Sequence, residues 1–120
     1  MYRMVKDDAQ SVYENLGLEL RRGVLVLAVL SQLRSEQYGY SLKQRLDAHG
    51  LEINEGTLYP LMRRLESQGL LRSDWRVEEG GRPRRYYGLS PAGVGILEQL
   101  RQDWYELGNV MGKLLEGDVS

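Results

Sequence analysis

The sequence predicts a mostly helical α+β domain that carries a small β-hairpin and ends in a long helix. Apolar residues recur at helical spacing from Leu58 to Leu65, an alternating stretch is interrupted by Gly80-Gly81, and an apolar heptad pattern runs toward the C-terminus. The composition, 42% hydrophobic and 28% charged, is typical of a soluble globular protein. A chain of 120 residues fits one domain, or a small domain with a helical extension.

The composition also excludes several classes of protein. The chain has no cysteine, which excludes disulfides, thiolate metal sites and a cysteine nucleophile. The longest apolar run, Val24 to Leu30, is far shorter than the roughly 20 residues of a membrane span, and the N-terminus does not resemble a signal peptide. We therefore expect a soluble, cytoplasmic protein with no membrane contact and no cofactor.

Two helices are predicted at the start of the chain. Val5, Ala9, Val12 and Leu16 have helical spacing, which indicates a short helix within residues 1–17. The stretch from Leu18 to Leu33 is apolar nearly all round at its centre and fits a buried helix or a buried strand. Its length favours a helix.

A break, a short helix and a short strand are predicted next. Tyr38-Gly39-Tyr40 forms the break, after which Ser41 is a predicted cap of a helix that ends at Gly50. The segment from Leu51 to Ile53 has the composition of a short strand. These elements lead into the most informative part of the chain.

His49 is the only histidine of the chain. A metal site needs further ligands, and the sequence offers neither a second histidine nor a cysteine. We interpret His49 as a surface residue at a helix end, and we predict neither a metal site nor a catalytic residue.

The stretch from Asn54 to Leu71 contains a predicted helix with one apolar side. Leu58, Leu61, Met62 and Leu65 follow the spacing i, i+3, i+4 and i+7. Asn54 is a predicted N-cap, and Gly69 is the predicted end of the helix. Pro60 requires either that the helix begins late, near Thr57, or that it is kinked at Pro60.

The opposite side of this helix is polar and cationic. It carries Gly56, Tyr59, Pro60, Arg63 and Ser67, with Thr57 and Arg64 on its flanks. Two guanidiniums, a phenol and a hydroxyl suit phosphates and base edges in a DNA major groove. The alternative is that the two arginines only solvate an ordinary surface helix.

The segment after Gly69 is a predicted β-hairpin with a cationic tip. Leu71, Trp75 and Val77 alternate with polar residues, and glycines and a proline supply the turn. Three arginines lie within four residues at its tip: Arg82, Arg84 and Arg85. They either keep a sheet edge soluble or form a finger that contacts a phosphate backbone or enters a minor groove.

The charge of the chain is segregated along its length. The net charge is −1, whereas a basic balance is usual in nucleic-acid-binding proteins. Residues 63–85, however, hold seven arginines against four acidic residues, a net charge of +3, and residues 86–120 have a net charge of −3. One end of the molecule is therefore expected to attract phosphate.

A long helix is predicted from Pro91, with Ser90 as its cap. An apolar seam with spacings of three and four residues follows: Leu97, Leu100, Trp104, Leu107, Met111 and Leu114. A helix of roughly 37 Å is too long to be covered by the small domain before it. We therefore predict that a second copy covers the seam, and the alternative is that the seam folds back on its own domain.

This order of elements is that of a winged helix-turn-helix with a dimerisation helix, divided here into residues 1–17, 18–89 and 90–120. The segments LRRGVLVLAVLSQL, YGYSLKQRL, LEINEGTLYPLMRRLESQGLL and GGRPRRYYGLSPAG together resemble the PadR family of transcriptional regulators. The single helix after the wing is similar to the short subgroup of that family.

The resemblance implies a homodimeric repressor that binds an inverted repeat in promoter DNA and is released by a small ligand. Its recognition helix corresponds to residues 54–68 and its wing to residues 76–87. The implied DNA contacts are Thr57, Tyr59, Pro60, Arg63 and Arg64 in the helix and Arg82, Arg84 and Arg85 in the wing. Of Tyr38 and Tyr40, one is expected in the core and the other at a phosphate.

Trp104 matches a position at which members of the subgroup hold flat aromatic compounds between paired tryptophans. Two bulky rings at a heptad position either hold the helices apart and leave an apolar slot, with Leu100 and Gly108 beside it, or form packed core. An alternative from another class is a winged-helix ligand-binding or protein-interaction module without DNA binding. An enzyme is not expected, because the sequence lacks a catalytic triad pattern and a phosphate-binding glycine loop.

Overall fold

A computed structural model describes residues 6–77 and 80–117. The elements, in chain order, are α1 (Lys6–Gln32), β1 (Gln37–Tyr38), α2 (Gly39–Ala48), α3 (Glu55–Ser67), β2 (Leu71–Val77), β3 (Pro83–Leu89) and α4 (Pro91–Glu116). The predicted class, mostly helical with a small sheet, is confirmed. None of the described helices is both long enough and apolar enough to span a membrane.

The sheet has three antiparallel strands in the order β1-β3-β2. The predicted hairpin is confirmed: β2 and β3 pair from Leu71 opposite Leu89 to Val77 opposite Pro83. The two-residue strand β1 pairs with the inner half of β3, so the part of β3 nearest the tip has no neighbour on that side. The hairpin of β2 and β3, called the wing below, therefore projects from the domain as a two-stranded ribbon.

One hydrophobic core joins all the helices to the root of the hairpin. Its fully or almost fully buried members are Val29, Leu30, Leu33, Leu42, Leu46, Leu58, Met62, Leu65, Leu71 and Leu97. Fully burying one such side chain stabilises the fold by about 1.5–3 kcal/mol. The predicted apolar stripe of α3 is thus confirmed at Leu58, Met62 and Leu65, and Leu61 packs partly buried beside them.

The start of the chain differs from the prediction. The two predicted helices are one continuous helix, α1, whose C-terminal half enters the core while its N-terminal half is exposed. Gly17 and Gly23 lie inside it, and neither has a neighbouring atom within 4 Å of the place a Cβ would occupy. The helix continues through both glycines with open space beside them. The first five residues of the predicted N-terminal helix lie outside the described residues.

Two local predictions around α2 are wrong. The helix begins at Gly39 instead of after Ser41, and the Ser41 hydroxyl donates to Gln37 Oε1 instead of capping the helix. Tyr38 belongs to β1, where pairing with β3 provides the backbone partners that a sequence pattern does not reveal. The segment from Leu51 to Ile53 is not a strand, because it has no adjacent strand to pair with and its first N–H donates to the carbonyl of Leu46.

The ends of α3 are as predicted. The N–H of Thr57 donates to Asn54 Oδ1 at 2.9 Å, so Asn54 caps the helix. Gly69 has a φ of +82°, which glycine adopts readily, just after the last residue of the helix. The helix begins at Glu55, not near Thr57, and contains Pro60 in its second turn. Pro60 has no N–H for the carbonyl of Gly56, and both residues are exposed, so the missing hydrogen bond lies on the solvent side of the helix.

The start of α4 is fixed to the end of α3. Ser90 accepts a hydrogen bond from the N–H of Gly93 at 3.0 Å, and its own hydroxyl donates to the carbonyl of Gly69 at 2.6 Å. A Cβ at Gly93 would lie 2.1 Å from the carbonyl oxygen of Leu70, so only glycine permits this approach. The helix then runs for 26 residues, about 39 Å, and residues 101–117 are all exposed.

Candidate nucleic-acid interface

The exposed side of α3 carries two arginines that form no ion pair with any described residue. Thr57, Pro60, Arg63 and Arg64 are exposed, because the buried stripe of the helix faces the core on the opposite side. In the described part of the chain, neither guanidinium forms an ion pair. Both charges therefore remain available to a ligand.

Tyr59 occupies a different environment from the other residues of this side. Its ring packs on Gly39, where a Cβ would lie only 2.7 Å from the ring carbon Cε1. Burial raises the pKa of the Tyr59 hydroxyl, and the charge of Glu55 adds to this effect. Tyr59 thus helps to set the distance between α2 and α3 and exposes only part of its ring.

Tyr38 and Tyr40, at the start of α2, lie in different environments. Tyr38 is half-buried: its ring meets that of Tyr86 edge-on at 5.7 Å between centroids, and the guanidinium of Arg84 lies 4.5 Å from its ring centre. Tyr40 is 50% exposed. Tyr38 is therefore the packed residue of the pair and Tyr40 the accessible one.

Arg85 links the wing to α3. Its Nη2 donates to Glu66 Oε1 at 2.8 Å, and its Nε donates to Ser73 Oγ at 2.9 Å. The Ser73 hydroxyl in turn donates to Glu66 Oε2. Arg82 and Arg84, nearer the tip, are exposed. The three arginines that the sequence grouped together thus divide into two at the tip and one at the root.

A second carboxylate holds the opposite face of the wing. Glu36, in the linker after α1, lies 2.9 Å from Arg72 Nη1 and 2.6 Å from Arg76 Nη2. The hydrogen bond from Arg76 holds the pKa of Glu36 below its usual value. Arg76 also bonds to Asp74 and lies 4.7 Å from the ring centre of Tyr86. Surface pairs of this kind contribute modestly to stability, but together they fix the direction of the wing.

A groove of about 390 Å³ separates α3 from the wing. Its walls combine arginines and aromatic rings, including Tyr40, Arg63, Trp75 and Arg84. Trp75 is 65% exposed on the wing. The sequence analysis treated Trp75 only as a strand residue, and it did not identify Glu36 or Glu66. No spacing rule marks Glu36 or Glu66, because the arginines that they bind lie 19 to 40 positions away.

The predicted seam of α4 divides at Leu100. Leu97 is buried in the core of its own domain and has little surface for a partner, contrary to its predicted place in the interface. Leu100 packs partly on that core. Trp104, Leu107, Met111 and Leu114 are exposed, and no atom lies within 4 Å of a Cβ built at Gly108 or Gly112. The dimer interface and the ligand slot stay predictions.

His49 lies at the exposed end of α2, as predicted. Its Nδ1 is 2.8 Å from the carbonyl oxygen of Arg45, one turn earlier. Within residues 6–77 and 80–117, no group of three or more histidine, cysteine, aspartate or glutamate side chains is arranged to hold a metal ion. The exposed arginines of α3 and the groove beside them suit an extended polyanion instead of a metal ion.

Comparison with known proteins agrees with this arrangement. Residues 26–99 match the sequence profile of the Transcriptional regulator PadR-like family. The chain is 41% identical over 90 residues to the transcriptional regulator Rv3488 of Mycobacterium tuberculosis, covering 74% of this chain and 83% of that protein.

Solved structures with a similar fold include further PadR-like transcriptional regulators. A PadR family transcriptional regulator from Eggerthella lenta is 48% identical with a TM-score of 0.79, covering 90% of this chain and 96% of that one. A PadR-like transcriptional regulator from Bacillus cereus is 30% identical with a TM-score of 0.74, covering 83% and 99%. These relatives are regulators and not enzymes. The chain belongs to the PadR-like family of transcriptional regulators.

Proposed function

We propose that this regulator is a homodimeric repressor that places α3 of each protomer in the DNA major groove and the tip of each wing against the adjacent backbone. The observation that carries the proposal is the pair Arg63 and Arg64, exposed and without ion pairs among the described residues, on the side of α3 opposite the core. Thr57 and Pro60 share this side, and Tyr59 presents part of its ring there.

Electrostatics support this orientation. Arg72, Arg76 and Arg85 are held in ion pairs by carboxylates, whereas Arg63 and Arg64 form none within residues 6–77 and 80–117. Positive charge available for phosphates is therefore concentrated on the exposed side of α3. A protein that neutralises phosphates releases counterions. For each phosphate contact, its affinity therefore falls by about 0.9 logarithmic units per tenfold increase in salt concentration.

The apolar surface of the long helices supports dimerisation. Beyond Leu100, α4 exposes Trp104, Leu107, Met111 and Leu114, and the N-terminal half of α1 exposes Val12, Leu16 and Leu20. A monomer that exposed so much apolar surface would tend to associate. A second copy covers such a seam symmetrically and holds two α3 helices about 34–36 Å apart, as an inverted repeat requires.

Release by a small ligand is the final part of the proposal. Trp104 is half exposed, and Gly108, one turn later, leaves space beside the helix. In a dimer, two such indoles with Leu100 and Gly108 form walls for a flat aromatic effector. An effector that binds one separation of the tail helices better than another shifts the distance between the two α3 helices.

Gel retardation with double-stranded DNA from upstream of the chain's own gene tests the DNA-binding proposal. We expect a specific complex that survives excess unrelated DNA and weakens steeply as salt rises. Absence of salt-sensitive binding to any promoter fragment at low salt would instead favour a winged-helix module that binds a ligand or a protein without DNA.

A further inference from the structure

Trp75 lies on the side of the sheet that faces α3. Side chains alternate along a strand, so Trp75 shares this side with Leu71, which is in the core, and Ser73, which bonds to Glu66 of α3. Arg85 is its partner on the neighbouring strand. Trp75 thus stands where the packed root of the wing gives way to the open groove that Arg63 also lines.

Outside the long helices α1 and α4, the exposed aromatic surface of the described residues is concentrated in this groove. Among the described residues outside α1 and α4, the exposed large apolar side chains are Tyr40, Trp75 and Val77. Tyr40 and Trp75 line the groove between α3 and the wing, beside Arg63 and Arg84. Single exposed apolar residues are ordinary, but an indole and a phenol that line one groove with guanidiniums form a surface that combines apolar and cationic groups.

The indole is supported from within the protein. The guanidinium of Arg85 lies 5.9 Å from the ring centre of Trp75 and 5.4 Å from that of Tyr87. Arg85 is itself fixed by Glu66 and Ser73, so it holds its position beside the rings while its charge is engaged. Most of the indole surface remains open to a ligand, because the side chain is 65% exposed.

Resting on the DNA binding proposed above, we propose that this groove seats the sugar-phosphate backbone of one DNA strand, with Trp75 packed against a deoxyribose. Deoxyribose is an apolar ring between two anionic phosphates. A groove lined by Tyr40 and Trp75 together with Arg63 offers apolar surface for the sugar and a cation for a phosphate. The groove is also open to solvent, whereas small-molecule pockets bury most of their ligand.

The role of Trp75 differs measurably from that of the arginines. The indole carries no charge, so removing it weakens DNA binding without changing the number of counterions released. Removing Arg63 or Arg82 lowers both the affinity and the salt dependence. The slope of affinity against salt therefore separates an apolar backbone contact from a phosphate contact.

The first experiment compares Trp75→Ala with the parent protein on upstream double-stranded DNA over a range of salt concentrations. We expect about fivefold to tenfold weaker binding at each salt concentration and an unchanged slope. Val94→Ala is the matched control, because Val94 is an exposed apolar residue in the first turn of α4, outside the groove, and its removal leaves the affinity unchanged. Parent affinity in Trp75→Ala would overturn the inference.

The second experiment measures acrylamide quenching of tryptophan fluorescence in the parent protein and in Trp75→Phe, which retains only Trp104. Saturating DNA is expected to protect the parent from quenching and to leave Trp75→Phe unprotected. DNA binding without protection in the parent overturns the role of Trp75 and leaves the proposed function intact. Failure of the parent to bind any promoter fragment at low salt overturns the proposed function and this inference together.

Discussion

The helices α3 and α4 begin alike and expose opposite chemistry. Each starts at a side-chain cap, Asn54 or Ser90, and each buries one side in the same core. The remaining side of α3 is polar and cationic, whereas α4 beyond Leu100 exposes a run of apolar side chains. A cationic side is stable in water until it meets an anion, but a long apolar side favours a permanent partner. The contrast supports the proposal that α3 contacts DNA and that α4 contacts a second copy.

The largest effect is expected from α4. Leu107→Asp with Met111→Asp places charges in the proposed seam, so we expect association at least about a hundredfold weaker and loss of specific DNA binding. Sedimentation and gel retardation measure the two effects. Gln102→Glu with Asn109→Asp adds the same charge on the opposite side of α4 and is expected to preserve the dimer. Dissociation in both variants would show that charge alone, and not the seam, was responsible.

The next effect is expected from α3. Replacing Arg63 and Arg64 by alanine removes two contacts worth about 1–3 kcal/mol each, so specific affinity should fall at least about thirtyfold. The dimer should remain intact by sedimentation. Arg34→Ala, which removes an exposed arginine at the end of α1, serves as the control for loss of charge. An unchanged affinity of the double variant would remove α3 from the interface.

A smaller effect is expected from the tip of the wing. Arg82→Ala should weaken binding to specific and unrelated DNA alike and reduce the salt slope by about 0.9, because it removes one phosphate contact. Titrations at several salt concentrations give this slope. Loss of affinity confined to one DNA sequence would instead indicate that Arg82 reads bases.

Arg85 provides the sharpest comparison with Arg82. Its charge is engaged by Glu66, so Arg85→Ala should change the salt slope by less than Arg82→Ala does, while the wing loses its link to α3. We expect a lower melting temperature and a loss of specific affinity, measured by thermal unfolding and by titration. Glu66→Gln should partly reproduce the loss of specific affinity, because it removes the charge that holds Arg85 without removing an arginine. If Arg85→Ala reduces the slope of affinity against salt as much as Arg82→Ala does, Arg85 contacts phosphate directly.

The smallest effect concerns pH and Glu36. The pKa of Glu36 is lowered by Arg76 and Arg72, so the pair stabilises the fold above the unfolded-state pKa near 4.5, and this stabilisation is lost as the pH falls through the lowered pKa. Glu36→Gln should therefore melt slightly below the parent at neutral pH and equal to it in strong acid. A difference that persists at low pH would exclude ionisation of Glu36 as its cause.

Much of the fold follows from local chemistry. The Asn54 and Ser90 caps, the turn at Gly69, the apolar stripe of α3 and the pairing of the hairpin all depend on neighbouring residues, and their predictions are confirmed. The false boundary inside α1 and the false strand from Leu51 to Ile53 arose where local preference is weak. There the chain continues as one helix through Gly17 and Gly23, and the segment from Leu51 to Ile53 has no strand to pair with.

In the candidate interface too, some features follow from the sequence and others only from the tertiary structure. The sequence by itself determined that α3 carries its arginines opposite its core stripe, because helical spacing alone places them there, and that α4 carries an apolar seam. Only the tertiary structure decided that Leu97 is buried in its own core, that Arg85 is held by Glu66 while Arg63 is not, and that Trp75 opens onto a groove. The physical reason is distance along the chain: a charge is free or paired according to residues that only folding brings within reach.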